Sequence, residues 1–396
     1  MNARWASVAL AAALLSAKPA AAQAPAAEPP DLQRAFASAM RAEADGQIAQ
    51  AIDLLTALEA RTAAPRVKLE LARMLFEAGE HRRARTMFAK VYRQDLPYPV
   101  RRRINLFLDD IDQRLGYARP SLGIRIDDNP TQQPHSGIYR IFGSPFEFTK
   151  SSRPEASLTW RIDALAPLAE RAGRQWQLRA EADGLTSQAK GIDRAGGEVS
   201  LRLAELERRS HAAIGWRASE SGGLKANAGF VEYQRRVTPS RRSQLTVVAD
   251  LELNRLSGGV RMSGRTARLT ADFARDLGPN TTARLGGGGS LSSISDPQWP
   301  KRTAFGQAVL IRSLPKRNLS LVAGAGLAMT HFEGPDPFFG LERRDRSFGL
   351  QLAAYLARPV LGFFPGLVLS RDIRRSNIPF FDFDRTGASM DFKRRF

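Results

Sequence analysis

Alternation with a period of two is the strongest constraint in this chain. From Ser121 onward, stretches of about ten residues switch between apolar and polar at each step, with Gly-, Pro- and Asp-rich breaks between them. Side chains on a strand point alternately to two faces, so each stretch has one greasy side and one polar side. The clearest runs from Gln175 to Asp183. Trp176, Leu178, Ala180 and Ala182 share one face, and Gln177, Arg179, Glu181 and Asp183 share the other. Leu224, Ala226, Ala228 and Phe230 alternate with Lys225, Asn227 and Gly229. Leu319, Leu321, Ala323, Ala325, Leu327 and Met329 alternate with small residues. At the end of the chain, Ala388, Met390, Phe392 and Phe396 oppose Ser389, Asp391, Lys393 and Arg395.

Such stretches fall at 118–126, 154–167, 174–187, 195–206, 210–219, 223–236, 241–255, 259–275, 281–293, 301–313, 317–331, 345–358, 363–374 and 385–396. The pattern predicts an antiparallel transmembrane β-barrel of about fourteen strands over 117–396, greasy side to lipid and polar side to a water-filled lumen. Arg179, Glu181, Asp183, Lys393 and Arg395 are then lumen-facing candidates. Residues 137–148 read as an extra hairpin within a loop. An even strand number returns both barrel ends to one side, which places whatever precedes the barrel in the periplasm.

The N-terminal part obeys a different period. Arg4, the apolar run Ala6 to Ala17 and the small residues Ala20 to Ala22 read as an export signal over 1–22. Residues 23–30 form a Pro/Ala-rich leader expected to be disordered. Over 31–116 apolar residues recur at helical spacing, as in Ile48, Ile52, Leu55 and Leu58, and again in Val100, Ile104, Phe107, Leu108 and Ile111. Gly46 and Gly79, Ala51 and Ala84, Leu55 and Phe88 share one offset of 33 residues, close to the tetratricopeptide period of about 34. The fold class is therefore α + β, a short tetratricopeptide-like α-solenoid followed by the barrel. The helices read either as a spacer or as a scaffold that binds a protein partner.

Composition narrows the function classes. The formal net charge is +19, which suits an Arg-rich lumen and rim or attraction to acidic partners. Nucleic acid fits poorly with an exported chain. No segment after the signal is long and apolar enough for a membrane-spanning helix, which excludes a helical bundle but not a barrel. The chain has no cysteine, so disulfides, thiolate metal sites and thiol nucleophiles are absent. His81, His135, His211 and His331 have no zinc-site spacing, and no Gly-x-Ser-x-Gly elbow occurs. The Gly286 to Gly289 run lacks the Lys-Ser/Thr of a phosphate loop. No enzyme activity, metal or cofactor is expected.

The order of export signal, short helical repeat and C-terminal barrel resembles the surface lipoprotein assembly modulator (Slam) family. The stretch S-N-I-P-F-F-D-F-D-R at 376–385 is similar to that family's loop before the last strand, and Arg394-Arg395-Phe396 to its terminus. Arg343-Arg344-Asp345, L-F-E-A-G-E-H-R-R-A-R at 75–85, the helix at 100–115 and Asp127-Asp128-Asn129-Pro130 also resemble it. The resemblance implies an outer-membrane monomer that delivers client surface or secreted proteins to the cell surface, many of them used to take metal or haem from a host. It implies that Phe392 and Phe396 form the signal read by the barrel-assembly machinery. It singles out Asn377, Pro379, Asp382, Asp384 and Arg385 as a functional loop, whose alternative reading is an ordinary turn held by local hydrogen bonds. An anion-selective pore and a barrel-anchored periplasmic scaffold are the competing readings.

Overall fold

The computed structural model describes residues 30–396 except 95, 97, 151–152, 188–192, 222, 241, 258–261, 295–298, 358, 362 and 394–396. The expected export signal, all but the last residue of the leader, and Arg394, Arg395 and Phe396 lie outside the described residues.

Five helices come first among the described residues: α1 (Pro30–Ala44), α2 (Ile48–Glu59), α3 (Pro65–Glu77), α4 (His81–Tyr92) and α5 (Tyr98–Leu115). The 33-residue offset has a local structural counterpart. Gly46 and Gly79 end their helices at φ +77 and +80, a region open to glycine without a side-chain penalty. One residue later, the Gln47 and Glu80 N–H groups each donate 2.8 Å hydrogen bonds, to the Ala42 and Leu75 carbonyls. Ala51, Leu55 and Ala84 are fully buried and Phe88 nearly so. The change from helix to strand falls between Leu115 and Tyr117. The chain divides into two compact units elsewhere, between Glu70 and Leu71, so that α4 and α5 belong with the strands.

The strands are β1 (Tyr117–Asp127), β4 (Glu155–Arg171), β5 (Arg174–Ser187), β6 (Arg194–Glu205), β7 (Ser210–Ser221), β8 (Leu224–Ser240), β9 (Ser243–Ser257), β10 (Met262–Gly278), β11 (Thr281–Ser292), β12 (Arg302–Leu314), β13 (Leu319–Pro335), β14 (Glu342–Leu356), β15 (Phe364–Ser376) and β16 (Phe383–Lys393). These fourteen close into one antiparallel barrel, with β1 pairing both β4 and β16. The 137–148 segment forms a separate hairpin of β2 (Gly137–Ile141) and β3 (Ser144–Phe148). The connections after β4, β6, β8, β10, β12 and β14 gather at the end where β1 starts, here the turn end. The opposite, loop end carries the remaining connections.

Exposure follows the alternation. On β5, Trp176 and Leu178 are 43% and 40% exposed, while Gln175 and Gln177, which alternate with them, are buried. Ile124, Ile214, Leu253, Leu327 and Met329 continue an exposed apolar outer wall on other strands. On β8 the apolar row that includes Ala226, Ala228 and Phe230 turns inward, while Val231 and Tyr233 face out. The reason is packing. Arg217 lies 3.9 Å over the Phe230 ring, and Gly215 leaves that ring its space, since a Cβ there would come within 2.7 Å of it.

The closing seam is tied by side chains. Arg385 on β16 grips Asp372 on β15 and lies 3.7 Å from Asp127 on β1. Asp128 accepts from the Thr386 N–H at 2.7 Å, and Asn129 donates to the Asp384 carbonyl at 3.1 Å.

Candidate functional site at the barrel mouth

A helix leaves its last four carbonyls without partners in the helix itself. At the end of α5 the barrel supplies partners for two of them. Gln177 Nε2 donates to the Gln113 carbonyl at 2.7 Å, and Gln175 Nε2 to the Arg114 carbonyl at 3.2 Å. Both glutamines face inward on β5. Nearby, Asp112 is wholly buried and accepts from Arg119 of β1 at 2.5 Å, with Arg85 of α4 at 3.3 Å on its other oxygen. Asp110 accepts from Arg209, in the β6–β7 connection, at 2.9 Å. Burial pushes both carboxyls above the ordinary aspartate value, with the arginines pulling the other way.

The start of α5 is held elsewhere. Arg101, also buried, donates to the Ala357 carbonyl in the β14–β15 connection at 2.9 Å. Between that connection and the β6–β7 connection lie β15, β16, β1, β4, β5 and β6 on one side and eight strands on the other. The two anchor points are thus almost opposite on the rim, and α5 crosses the turn-end mouth. Its outer side is covered by α3 and α4, with Phe107 stacked on Phe88 at 4.9 Å and edge-on to Phe76 at 5.3 Å.

Inside the wall runs a ladder of charge. Arg179 bonds Asp163 at 3.0 Å, Glu181 at 2.5 Å and Glu198 at 3.2 Å. Arg217 bonds Glu198, Asp250, Glu252 and Glu232 at 2.8, 2.8, 2.5 and 3.4 Å. Each guanidinium offers five fixed donors, so one arginine can tie three or four strands. Arg179 and Glu181 belong to this ladder. Asp183 lies further along β5 and lines a cavity with Trp299. Lys393 lies 3.5 Å from Asp391 and over the Tyr355 ring. Ile294, wholly buried in the β11–β12 connection, packs on the inward Gly264, where a Cβ would be 2.6 Å from it. Ile294, at the start of that connection, therefore lies against the inner face of β10.

The loop at 376–385 is braced by local bonds. Asn377 accepts from the Arg344 N–H at 2.6 Å and donates to the Glu342 carbonyl at 2.7 Å. Asp382 accepts from the Ser376 N–H at 2.6 Å, and Pro379 opens a single 3₁₀ turn. Asp384 pairs with Arg375 at 2.6 Å. Arg343 stacks 3.6 Å from Phe381 and chelates Asp345. Arg385 serves the seam. Phe392 stands on the outer face of β16, in register with Leu122. His135 lies 3.9 Å from Asp384 and His211 bonds Glu232 at 3.2 Å, well separated from each other along the chain and in the fold.

No family model matches the chain, and no curated protein matches it. Similar solved structures include a bacterial polysaccharide outer membrane secretin, 12% identical, covering 72% of this chain and 99% of that one at a TM-score of 0.39. An outer membrane channel from Pseudomonas putida F1 is 12% identical over 70% of this chain and 96% of its own, TM-score 0.38. Acinetobacter baumannii OccAB3 is 9% identical over 70% and 98%, TM-score 0.36. At such values the likeness carries no argument about what this chain does.

Proposed function

We propose that this chain is an outer-membrane transport barrel whose turn-end mouth is covered at rest by α5. The supporting observation is the crossing itself: a helix anchored at nearly opposite points of the rim of a closed barrel. The exposed apolar outer wall fits lipid, which would otherwise be a large aggregation-prone surface in water. Short connections are the periplasmic side of such barrels, so α5 and the helices before it lie in the periplasm. The test is single-channel conductance in planar bilayers. Wild-type protein should conduct little, and the double variant Arg101→Met/Asp110→Asn should conduct in steps several-fold larger. Equal conductance of the two would sink the reading.

The finer reading is delivery of client proteins to the cell surface. It is favoured by the helical turns at Gly46 and Gly79, whose repeat suits a protein-binding scaffold that a simple solute pore does not need. It predicts that one or two surface proteins are lost when the gene is removed, as read by surface proteomics. Loss of small-solute uptake alone would favour the pore.

A further inference from the structure

Between α5 and the inner wall of β5–β9 lies a cavity of about 430 Å³, lined by seven arginines and five carboxylates. Most of this charge is already matched. Arg119, Arg179, Arg209 and Arg217 hold carboxylates, and Arg114 lies over the Phe76 ring. Arg202 is different. It sits on the inward face of β6, is only 8% exposed, and makes no hydrogen bond or ion pair with any described residue. Its Nε is fully sequestered without a partner, as is the Nε of Arg236, which lines the same space.

A buried guanidinium left unpaired is costly, and folded proteins rarely tolerate one. The nearby acids are not available to it. Glu198 is taken by Arg179 and Arg217, Glu232 by His211 and Arg217, Glu205 by Arg174 and Asp110 by Arg209. We infer that this cavity is a binding site for a small oxyanion, a carboxylate or a phosphate, with Arg202 as its principal contact and Arg236 as the second uncompensated cation. The guanidinium fork suits either group, and the volume suits a small organic anion. The inference does not depend on what passes through the barrel.

The test uses the full chain folded in detergent, titrated with inorganic phosphate and, in parallel, succinate, each against matched sodium chloride. A ligand that binds only the folded state raises its thermal midpoint with concentration. At least one of the two anions should do so, and calorimetry should show saturable binding. Phosphate alone would mark a phosphate site, and both anions a general oxyanion site. Arg202→Met should weaken binding roughly tenfold or more. It should also raise the midpoint measured without anion, because it removes an unpaired buried charge. A merely structural arginine would lower that midpoint. If Arg202→Met does not fold, Arg236→Met is read in the same way. No midpoint shift with either anion, or a full shift retained in the folded variant, overturns the site.

Discussion

The inner wall of the barrel has two unlike halves. From β4 to β10 it is filled with long charged side chains that bond one another across strands. From β11 to β14 it is built largely of small residues. Gly286, Gly288 and Ser290 face inward on β11, Gly324, Gly326 and Ala328 on β13, and Ser347 and Gly349 on β14, by their register with Gln307 and Gln351. The difference separates two ways of making a polar lumen. One fills the interior with paired charge and holds neighbouring strands together. The other removes side chains and leaves room, some of it a cavity of about 400 Å³ beside Gln307, Gln351 and Arg385. The covering helix respects this division. The C-terminal half of α5 bonds to β5 and the β6–β7 connection on the charged side and to neighbouring β1, whereas its start reaches the β14–β15 rim through Arg101, beside the contact of Tyr92 with Phe364.

The largest test of this contrast is Arg217→Met. It leaves Asp250 and Glu252 with Arg268 at 3.6 and 3.7 Å as their remaining countercharge, Glu198 with Arg179 and Glu232 with His211, and should cost about 3–5 kcal/mol. The denaturant midpoint of the folded band on unheated gels would show it. A cost no greater than that of an exposed pair would mean the ladder is ornament rather than support.

The small-residue half should answer to steric bulk, position by position. At Gly288 a Cβ would lie 2.3 Å from the Leu269 carbonyl oxygen and 2.9 Å from the Thr270 Cα, both backbone atoms that cannot step aside. Gly288→Ala should cost about 1–3 kcal/mol. At Gly324 the nearest atom is a Val309 methyl at 3.5 Å, an ordinary contact. Gly324→Ala should stay within about 0.5 kcal/mol of wild type. If the two substitutions cost the same by the same gel assay, close strand approach is not what fixes glycine at 288.

The smallest effect concerns pH. Asp110 and Asp112 are raised in the folded protein chiefly by burial, from an ordinary value of 3.8. An acid raised on folding contributes stability that is full below its unfolded value and is lost as pH rises through its folded value. After correction for intrinsic rates, the amides of α5 should therefore be better protected from hydrogen exchange near about pH 4 than near about pH 7. Better protection at the higher pH would show that Arg209 and Arg119 outweigh the burial of these two acids.

Much of the fold was legible because alternation is a local signal. The inward placement of Arg179 and Glu181 follows from a single strand, and so does the outward placement of Trp176. Phe230 was not legible, because its inward turn depends on Arg217 and Gly215 of the neighbouring strand. The crossing of α5 left no mark in spacing either. Its anchors, Gln177, Arg209 and Ala357, are spread over 180 positions of the chain and meet only once the barrel closes. Arg202 could have been suspected from inward parity alone, but its lack of a partner is a property of the assembled wall. The loop at 376–385 was visible as a special sequence. Its bonds show a braced turn, which accounts for Asn377 and Asp382 without reference to a ligand.

Only Gly116 separates the end of α5 from the start of β1, at φ +79, and a Cβ there would strike the Leu165 carbonyl at 2.5 Å. Such a joint has no slack. If α5 moves, it must swing about this hinge like a door, and its far end travels most. Arg101 lies about 21 Å from the hinge along the axis, so a swing of about 10° moves it about 4 Å. That is enough to break its bond to Ala357, while Gln113 and Asp112 beside the hinge scarcely shift. A pull on the preceding helices would therefore act with full leverage on the far rim, where Arg101 meets Ala357 and Tyr92 meets Phe364, and with almost none on the cluster of bonds at the other end.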